Sequence, residues 1–504
     1  MKKIYTKNIS WLIAIALILS SCESFLEENP KTFLNPDSYY QNENQVAAAV
    51  NGVYTFLDDI MDSDIEPGSQ SYIFMEFLHG YGERTRGSGT QDLAQASSHL
   101  IADNNSYVQR FWQTGYMAIE NCNSIIEGIE AMEESSISEA KKNQYLGETY
   151  FLRGYFYFNL VRLYGPVPLK LESTKDLSNT EIELSSIEEV YNQIDADMTK
   201  AGELMDGMDW TNTSGRVTKG TVKSMHTKVL LTMAGYPLSK GTEYYAKAYN
   251  MAKQVYNSGS YRLFDNYNDL RTAENSGEII WSIQREADNA GNPLHSALLA
   301  YPAPAKAVSA SAAYGGAITT TQLFLDTYPE NDRRADERSF YYSQHEALDN
   351  SGMVDLGGVF IYKYWDQDAA VTGKSGANFT LLRYADVLLM MAEAKAQADG
   401  GTTTDADAVN AYFAVRQRAL PDETKPSSIS TDMVLQERFW ELAFENQTWF
   451  DLVRTRRALH AVTGQMVNLI GYQTPSHTAP FTEASLLLPY PIREKRLNPN
   501  LVRN

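Results

Sequence analysis

The chain has 504 residues, 43% of them apolar, with 43 Lys and Arg against 63 Asp and Glu for a formal net charge of −20. That length supplies a sizeable core and leaves room for more than one structural region. So acidic a surface, with no Lys/Arg cluster set against it, excludes nucleic acid as a partner, because phosphate binding needs cationic side chains.

The first residues read as a secretory leader over 1–21. Lys2, Lys3 and Lys7 make a positive start, and the apolar run 9–19 is broken only by Ser10. The run is too short to span a bilayer as a stable helix, and no later stretch approaches eighteen consecutive apolar residues. Leu19-Ser20-Ser21-Cys22 resembles a bacterial lipobox, in which the cysteine is acylated and becomes the mature N-terminus. Durable anchoring takes more than one acyl chain, which a triacylated Cys22 would supply. Cys122 is then left without a disulfide partner, and its place in an apolar helical pattern predicts a buried small hydrophobe.

Residues 23–31 are polar and acidic and read as a tether. Pro36-Asp37 predicts a helix start with Asp37 as N-cap. Val46, Ala47, Val50, Val53, Tyr54 and Leu57 come next at helical spacing. The stretch 67–105 loses the period, carries Gly68, Gly80, Gly82, Gly87 and Gly89, and predicts a long elaborated loop. Helical spacing returns over 111–129 and 144–164, where Phe151, Leu152, Tyr155, Phe156, Phe158 and Leu160 crowd a wide face. Gly165-Pro166-Val167-Pro168 then stops the helix. Further helices are predicted over 187–205, 218–234 and 244–257. The small residues Gly147, Gly154, Ala234 and Ala248 stand where helices could approach closely. Helix pairs of this kind bury their faces by stacking on one another, in the manner of degenerate tetratricopeptide repeats.

Beyond 261 the texture changes. Glu278-Ile279-Ile280-Trp281-Ser282-Ile283 predicts a strand, and Gly291-Asn292-Pro293, Tyr301-Pro302-Ala303-Pro304, Tyr314-Gly315-Gly316 and Gly357-Gly358 punctuate the chain after it. Helices are predicted again over 381–397, 405–420 and 433–457. The expected fold is mainly α: a tetratricopeptide-like helix-pair scaffold with an irregular, loop-rich lobe containing a few short strands. Its regions are a helical half over 22–260, the lobe over 261–380 and a helical region over 381–504.

Catalytic and metal-binding patterns are missing from the sequence. No two of the seven histidines stand at i, i+3 or i, i+4, the spacing that aims two imidazoles at one metal. Thr372-Gly373-Lys374-Ser375 ends like a phosphate loop, but Asp368 occupies the place of its first glycine. Gly80-Tyr81-Gly82 meets Thr85 where a dinucleotide fingerprint needs glycine. There is no nucleophile elbow. Glu437, Glu441 and Glu445 share a helix face, and two carboxylates 5–10 Å apart are what a glycosidase needs. Ion pairing with arginines such as Arg438 and Arg454 is the competing account and the one adopted, so no hydrolysis and no cofactor are expected. Acidic loops could hold a structural Ca²⁺, but no ligand spacing indicates one.

Several segments in series resemble the SusD/RagB family. They begin behind the lipobox with Phe25-Leu26-Glu27-Glu28-Asn29-Pro30 and Ala49-Val50-Asn51-Gly52-Val53-Tyr54. The most distinctive is Tyr150-Phe151-Leu152-Arg153-Gly154-Tyr155-Phe156-Tyr157 with its exit Leu163-Tyr164-Gly165-Pro166-Val167-Pro168. Leu382-Arg383-Tyr384-Ala385-Asp386-Val387, Val415-Arg416-Gln417-Arg418-Ala419, Glu441-Leu442-Ala443-Phe444-Glu445 and Leu488-Pro489-Tyr490-Pro491 come after it in order. Tyr490, and Asn446-Gln447 after the Glu-Leu-Ala-Phe-Glu motif, depart from the family pattern at scaffold positions. The resemblance implies a lipid-anchored outer-membrane protein that caps a SusC-like TonB-dependent transporter as a hinged lid. Its cargo would be oligosaccharide or polysaccharide, bound by loops rather than by the scaffold. A RagB-like binder of peptides or glycoprotein fragments has the same architecture, and a tetratricopeptide-type protein–protein scaffold is a further alternative.

Sugars present C–H faces rimmed by hydroxyls, which aromatic platforms and charged side chains complement. The candidate ligand contacts are therefore Tyr72, Phe74, Tyr81, Glu83, Arg84 and Arg86 in the stretch 67–105, with Tyr301, Tyr314 and Trp365 in the lobe.

Overall fold

The computed structural model describes residues 39–61, 71–85, 90–176, 181–300, 304–310 and 318–502. The leader, Cys22, Arg86, Tyr301 and Tyr314 lie outside the described residues.

Helices dominate. In chain order the main ones are α1 (Glu43–Met61), α2 (Ser71–Leu78), α3 (Gln91–Ser98), α4 (Ser106–Glu130), α5 (Glu139–Tyr164), α6 (Ile187–Leu204), α7 (Lys219–Ala234) and α8 (Thr242–Asn257). After the lobe come α9 (Tyr384–Ala398), α10 (Ala406–Ala419), α11 (Thr431–Glu441), α12 (Thr448–Thr455) and α13 (Ile492–Leu497). Local chemistry sets their ends. Ser138 caps α5 by accepting from the Lys141 N–H, and Gly165, at φ +74°, takes the left-handed turn that ends it. Ser186 and Glu189 cap α6 reciprocally.

Each helix of the stack packs on the next: α1 on α4, α4 on α5, α5 on α6, α6 on α7, and α7 on α8. The stack then passes from α8 directly to α9 and on to α10. Two glycines permit the tight α5–α6 seam. A Cβ at Gly147 would stand 2.5 Å from Met205, and one at Gly154 would stand 3.1 Å from Met198. Helices α7 and α9 are buried almost all round and form the middle of the stack. Cys122 is buried on α4, and burial pushes its thiol above the ordinary range.

Because α9 follows α8 in space, the residues between them form an insertion. Strands β1 (Gly82–Arg84), β2 (Ile279–Ile283), β3 (Ile318–Thr320), β4 (Tyr341–Glu346), β5 (Met353–Ile361) and β6 (Phe379–Arg383) build its two-stranded sheets. β2 and β6 pair antiparallel at the base, with Ile279 opposite Arg383, so the insertion leaves and rejoins the scaffold at one place. β4 pairs with β5, and β1 reaches across to pair with β3, setting Glu83 opposite Thr319. The fold is thus mainly helical with a few short strands, as the sequence indicates.

Two predicted elements differ. The stretch 67–105 holds α2, β1 and α3 rather than one long loop, and every residue of α2 is buried. Ser71-Tyr72-Ile73-Phe74-Met75-Glu76-Phe77-Leu78 lacks a helical period because its surroundings are apolar on all sides. The predicted helix 433–457 is two helices, α11 and α12. Phe444 and Asn446, at φ +59° and +56°, turn the chain between them.

Candidate functional site

Glu437 and Glu441, whose spacing in the sequence suits catalysis, are fully buried. Arg334 reaches Glu437 at 2.6 Å, Glu441 at 3.1 Å and Asp332 at 2.7 Å. Glu441 also meets Arg383 at 2.7 Å and Arg418 at 2.6 Å, and both arginines bind Glu278 as well. Glu445 pairs with Arg383 and Lys363. Burial alone would raise the Glu441 carboxyl; Arg418, Arg383, Arg334 and Lys363 override it and hold the group well below the carboxylate range. A second buried cluster joins Arg438 to Asp386 and Asp451, Arg454 to Glu393 and Asp451, and Lys228 to Asp386. A general acid must hold a proton near neutral pH beside solvent-accessible substrate. Glu441 meets neither condition, and these clusters join helices.

Tyr72, Phe74 and Tyr81 require correction as surface platforms, since all three are in the core. Tyr72 donates to the Phe444 carbonyl at 2.7 Å and packs edge-on to Tyr364 and Phe379. Tyr81 donates to the Leu459 carbonyl at 2.6 Å and meets Phe324 and Phe439. With both faces covered and the hydroxyl used, neither ring can stack on a ligand. Beside them stand three imidazoles, those of His79 and His477 buried and that of His99 half-buried. His79 contacts Glu76 at 2.6 Å, His477 contacts the Phe77 carbonyl at 2.9 Å, and the His99 and His477 rings lie 3.8 Å apart. Burial lowers His99 to about 4, and burial with the neighbouring His99 lowers His477 to about 3.

The other described candidates are Glu83, Arg84 and Trp365. Glu83 and Arg84 are exposed on β1. β1 pairs with β3, and Thr319 on β3 donates to the Val359 carbonyl of β5, so these strands form a continuous rim. Trp365 belongs to a buried cluster with Tyr342 of β4 and Leu356 and Phe360 of β5. Its ring stacks on Tyr362 with centroids 5.5 Å apart and meets His345, Tyr342 and His295. It is 6% exposed, so it offers an edge rather than an open face. That edge lines a hollow of about 40 Å³ with Arg271, Asn292, Tyr364 and Asn378. Arg271 sits 4.4 Å from the Tyr362 ring centroid, and burial lowers its pKa. His295 supports the arrangement: its Nδ1 accepts from the Asp366 N–H at 3.1 Å, Nε2 contacts Ser309 at 3.2 Å, and burial lowers it to about 4.

Sequence reasoning missed Arg271, Asn292 and Asn378 as site residues: Asn292 reads only as part of the turn signal Gly291-Asn292-Pro293, and the three meet only through the fold. Thr85, Ala300, Pro304, Ala310 and Ile318 flank the undescribed stretches that contain Arg86, Tyr301 and Tyr314. Among the described residues no group of three or more His, Cys, Asp or Glu is placed to hold a metal ion. No described helix is long and apolar enough to cross a membrane.

A scaffold of stacked helices bearing a loop-rich insertion has known counterparts. Residues 330–504 match the profile of the SusD family, and residues 25–231 match one described as starch-binding associating with outer membrane. The chain belongs to the SusD/RagB family. It is 24% identical to SusD-like protein P25 of Formosa agariphila, over 98% of this chain and 97% of that one. Among solved structures it resembles a SusD superfamily protein from Parabacteroides distasonis, with TM-score 0.84 and 28% identity over 92% of this chain and 98% of the other. It also shares the fold of surface glycan-binding protein A from Bacteroides fluxus, with TM-score 0.71 and 20% identity over 90% and 96% of the two chains.

Proposed function

We propose that this protein captures oligosaccharides at the outer face of the outer membrane, held there by acyl groups on Cys22, and passes them to a SusC-like TonB-dependent transporter. Family membership sets the class, and the observation that carries the cargo is the lobe rim. There exposed Glu83 and Arg84 stand on β1, which pairs with β3 of the lobe, and elsewhere in the lobe Trp365 and Arg271 edge a hollow. Ionic and planar groups of this kind complement sugar hydroxyls and C–H faces. Arg86, Tyr301 and Tyr314 are proposed to complete the contacts from the adjoining stretches. The reading includes no hydrolysis, which fits the buried state of Glu437 and Glu441.

Calorimetric titration against a glycan panel tests the cargo. Micromolar or tighter binding of an oligosaccharide, weakened at least tenfold by Glu83→Ala/Arg84→Ala, supports the reading. Binding of peptides alone points to the RagB-like alternative. Metabolic labelling with a palmitate analogue tests the anchor, because Cys22→Ser abolishes incorporation if the anchor is as proposed. Co-purification with a large barrel protein tests the transporter.

A further inference from the structure

In the helical frame a hollow of about 190 Å³ lies between the end of α5, the start of α6, the end of α7, α12 and the turn at 483–487. Its walls are largely apolar, with Ile187, Phe450, Val453 and Leu487 among them. Three arginines nevertheless border it, Arg162, Arg454 and Arg456, against one acid, Glu483. In a chain of net charge −20 that is a local reversal of sign. Two of the three cations are matched. Arg454 meets Glu393 at 2.5 Å and Asp451 at 2.7 Å, and Arg456 meets Glu483 at 2.8 Å.

Arg162 is different. It makes no ion pair among the described residues. Its Nε donates to the Phe158 carbonyl at 3.1 Å and its Nη2 to Asn159 Oδ1 at 2.6 Å, both within α5, while Nη1 has no partner among the described residues. The guanidinium carbon lies 3.8 Å from the Phe158 ring centroid and 3.6 Å from that of Phe450. Ring faces on two sides fix the plane of the group and leave its edge for hydrogen bonding. Burial lowers its pKa to about 10, whereas in Arg334, Arg383 and Arg454 carboxylates outweigh burial and raise it. Tyr191 borders the same hollow. It is 2% exposed, and its hydroxyl has no hydrogen-bond partner among the described residues, although buried phenols ordinarily find one. Its ring meets Phe158 edge-on at 6.2 Å, and Arg162 and Tyr191 are close enough for each to influence the other's titration.

We propose that this hollow binds a small organic carboxylate, with the anionic head on Arg162 and the Tyr191 hydroxyl and the apolar body against Ile187, Phe450 and Val453. A cation without its acid and a hydroxyl without its acceptor, set in otherwise apolar walls, ask for one negative charge on an apolar frame. A planar carboxylate matches the edge of a fixed guanidinium. Phosphate has no apolar body and carries more charge than one unmatched arginine offsets. Size agrees as well, since a cavity of about 150 Å³ takes up benzene, and the hollow exceeds that by enough for a carboxylate. Arg162 also borders a smaller hollow of about 70 Å³ toward β6, but Tyr191 borders only the larger. The inference does not depend on which ligand the lobe takes.

Fluorine NMR titration of the purified protein with 4-fluorobenzoate tests it. Saturable one-to-one binding with a Kd of about 1 mM or below is expected, with 4-fluorobenzamide and inorganic phosphate at least tenfold weaker. Arg162→Met keeps an apolar side chain between the two phenylalanines and should weaken 4-fluorobenzoate binding at least tenfold. Tyr191→Phe removes one hydroxyl and keeps the ring, so it should weaken binding by about threefold without lowering the melting temperature. Should Arg162→Met fail to fold, Tyr191→Phe decides the matter. An absence of saturation overturns the proposal, as does equal affinity for the amide, which would make the hollow merely apolar. Tighter binding of phosphate overturns it too, and so does an affinity that survives Tyr191→Phe or a folded Arg162→Met unchanged.

Discussion

Arg334 and Arg84 show how differently the junction and the rim of this molecule use one chemical group. Arg334 is fully buried, reaches three carboxylates within 3.1 Å and ties the lobe to α11. Arg84 is exposed on a short strand of the rim. Beneath the lobe the dielectric is low, and Arg334, Arg383 and Arg418 are each matched by two or three acids. At the rim Glu83 and Arg84 are exposed. The acids whose spacing suggests catalysis are thus the least available in the protein, while the unremarkable Glu83-Arg84 pair is presented to solvent.

Removing one member of the buried cluster is the harshest way to break that contrast. Arg334→Ala leaves Asp332, Glu437 and Glu441 facing one another without their shared cation, and it should cost about 3–5 kcal/mol in urea unfolding. A loss below about 1 kcal/mol would mean that the cluster is not a joint. Tyr81→Ala comes next, opening a cavity among Phe324, Phe439 and His79, with an expected cost of about 3 kcal/mol. Tyr81→Phe removes only the bond to Leu459 and should cost about 1 kcal/mol.

Acid provides a milder probe. His295 and His477 titrate at about 4 and about 3 in the folded chain, against an ordinary value of 6.5 in the unfolded one. Between pH 6.5 and 4 the unfolded state therefore binds more protons, and stability falls as pH falls, by up to about 1.4 kcal/mol per pH unit for each histidine. His295→Asn should flatten this slope in denaturation curves taken from pH 7 to 4. Protonating His295 would also end its acceptance of the Asp366 N–H, so glycan affinity should decline over the lower part of that range. Glu83→Ala/Arg84→Ala stands at the bottom of the scale. Stability should change by no more than about 0.5 kcal/mol, and only the binding titration should respond.

Much of the scaffold is legible in the sequence because amphipathic helices write their period into it. The predicted helix over 187–205 and the observed Ile187–Leu204 nearly coincide. Helix α2 escapes because a segment enclosed on every side has no polar face to mark a period. The same enclosure hides the true place of Tyr72 and Tyr81, since an aromatic in a glycine-rich stretch looks like a loop platform until its neighbours are known. The turn at Phe444 and Asn446 escapes for another reason: left-handed backbone at a non-glycine residue has no local signature and is held by tertiary contacts. The ion clusters join positions as far apart as Glu278 and Arg418, so only the folded chain brings them together. Trp365 is visible in the sequence as a lobe aromatic, but its partners Arg271, Asn292 and Asn378 are not.

The antiparallel pairing of β2 with β6 sets the lobe's departure and return side by side, with Glu278 and Arg383 bridged at 2.7 Å across the two ends. Residues 284–378 are thereby a cassette clipped into the helical frame at one seam, free to diversify in length and sequence without rethreading the stack. A graft between relatives with different appetites should cut at this seam, and the incoming piece must bring counterparts of Arg334 and Lys363 to keep the latch beneath it closed.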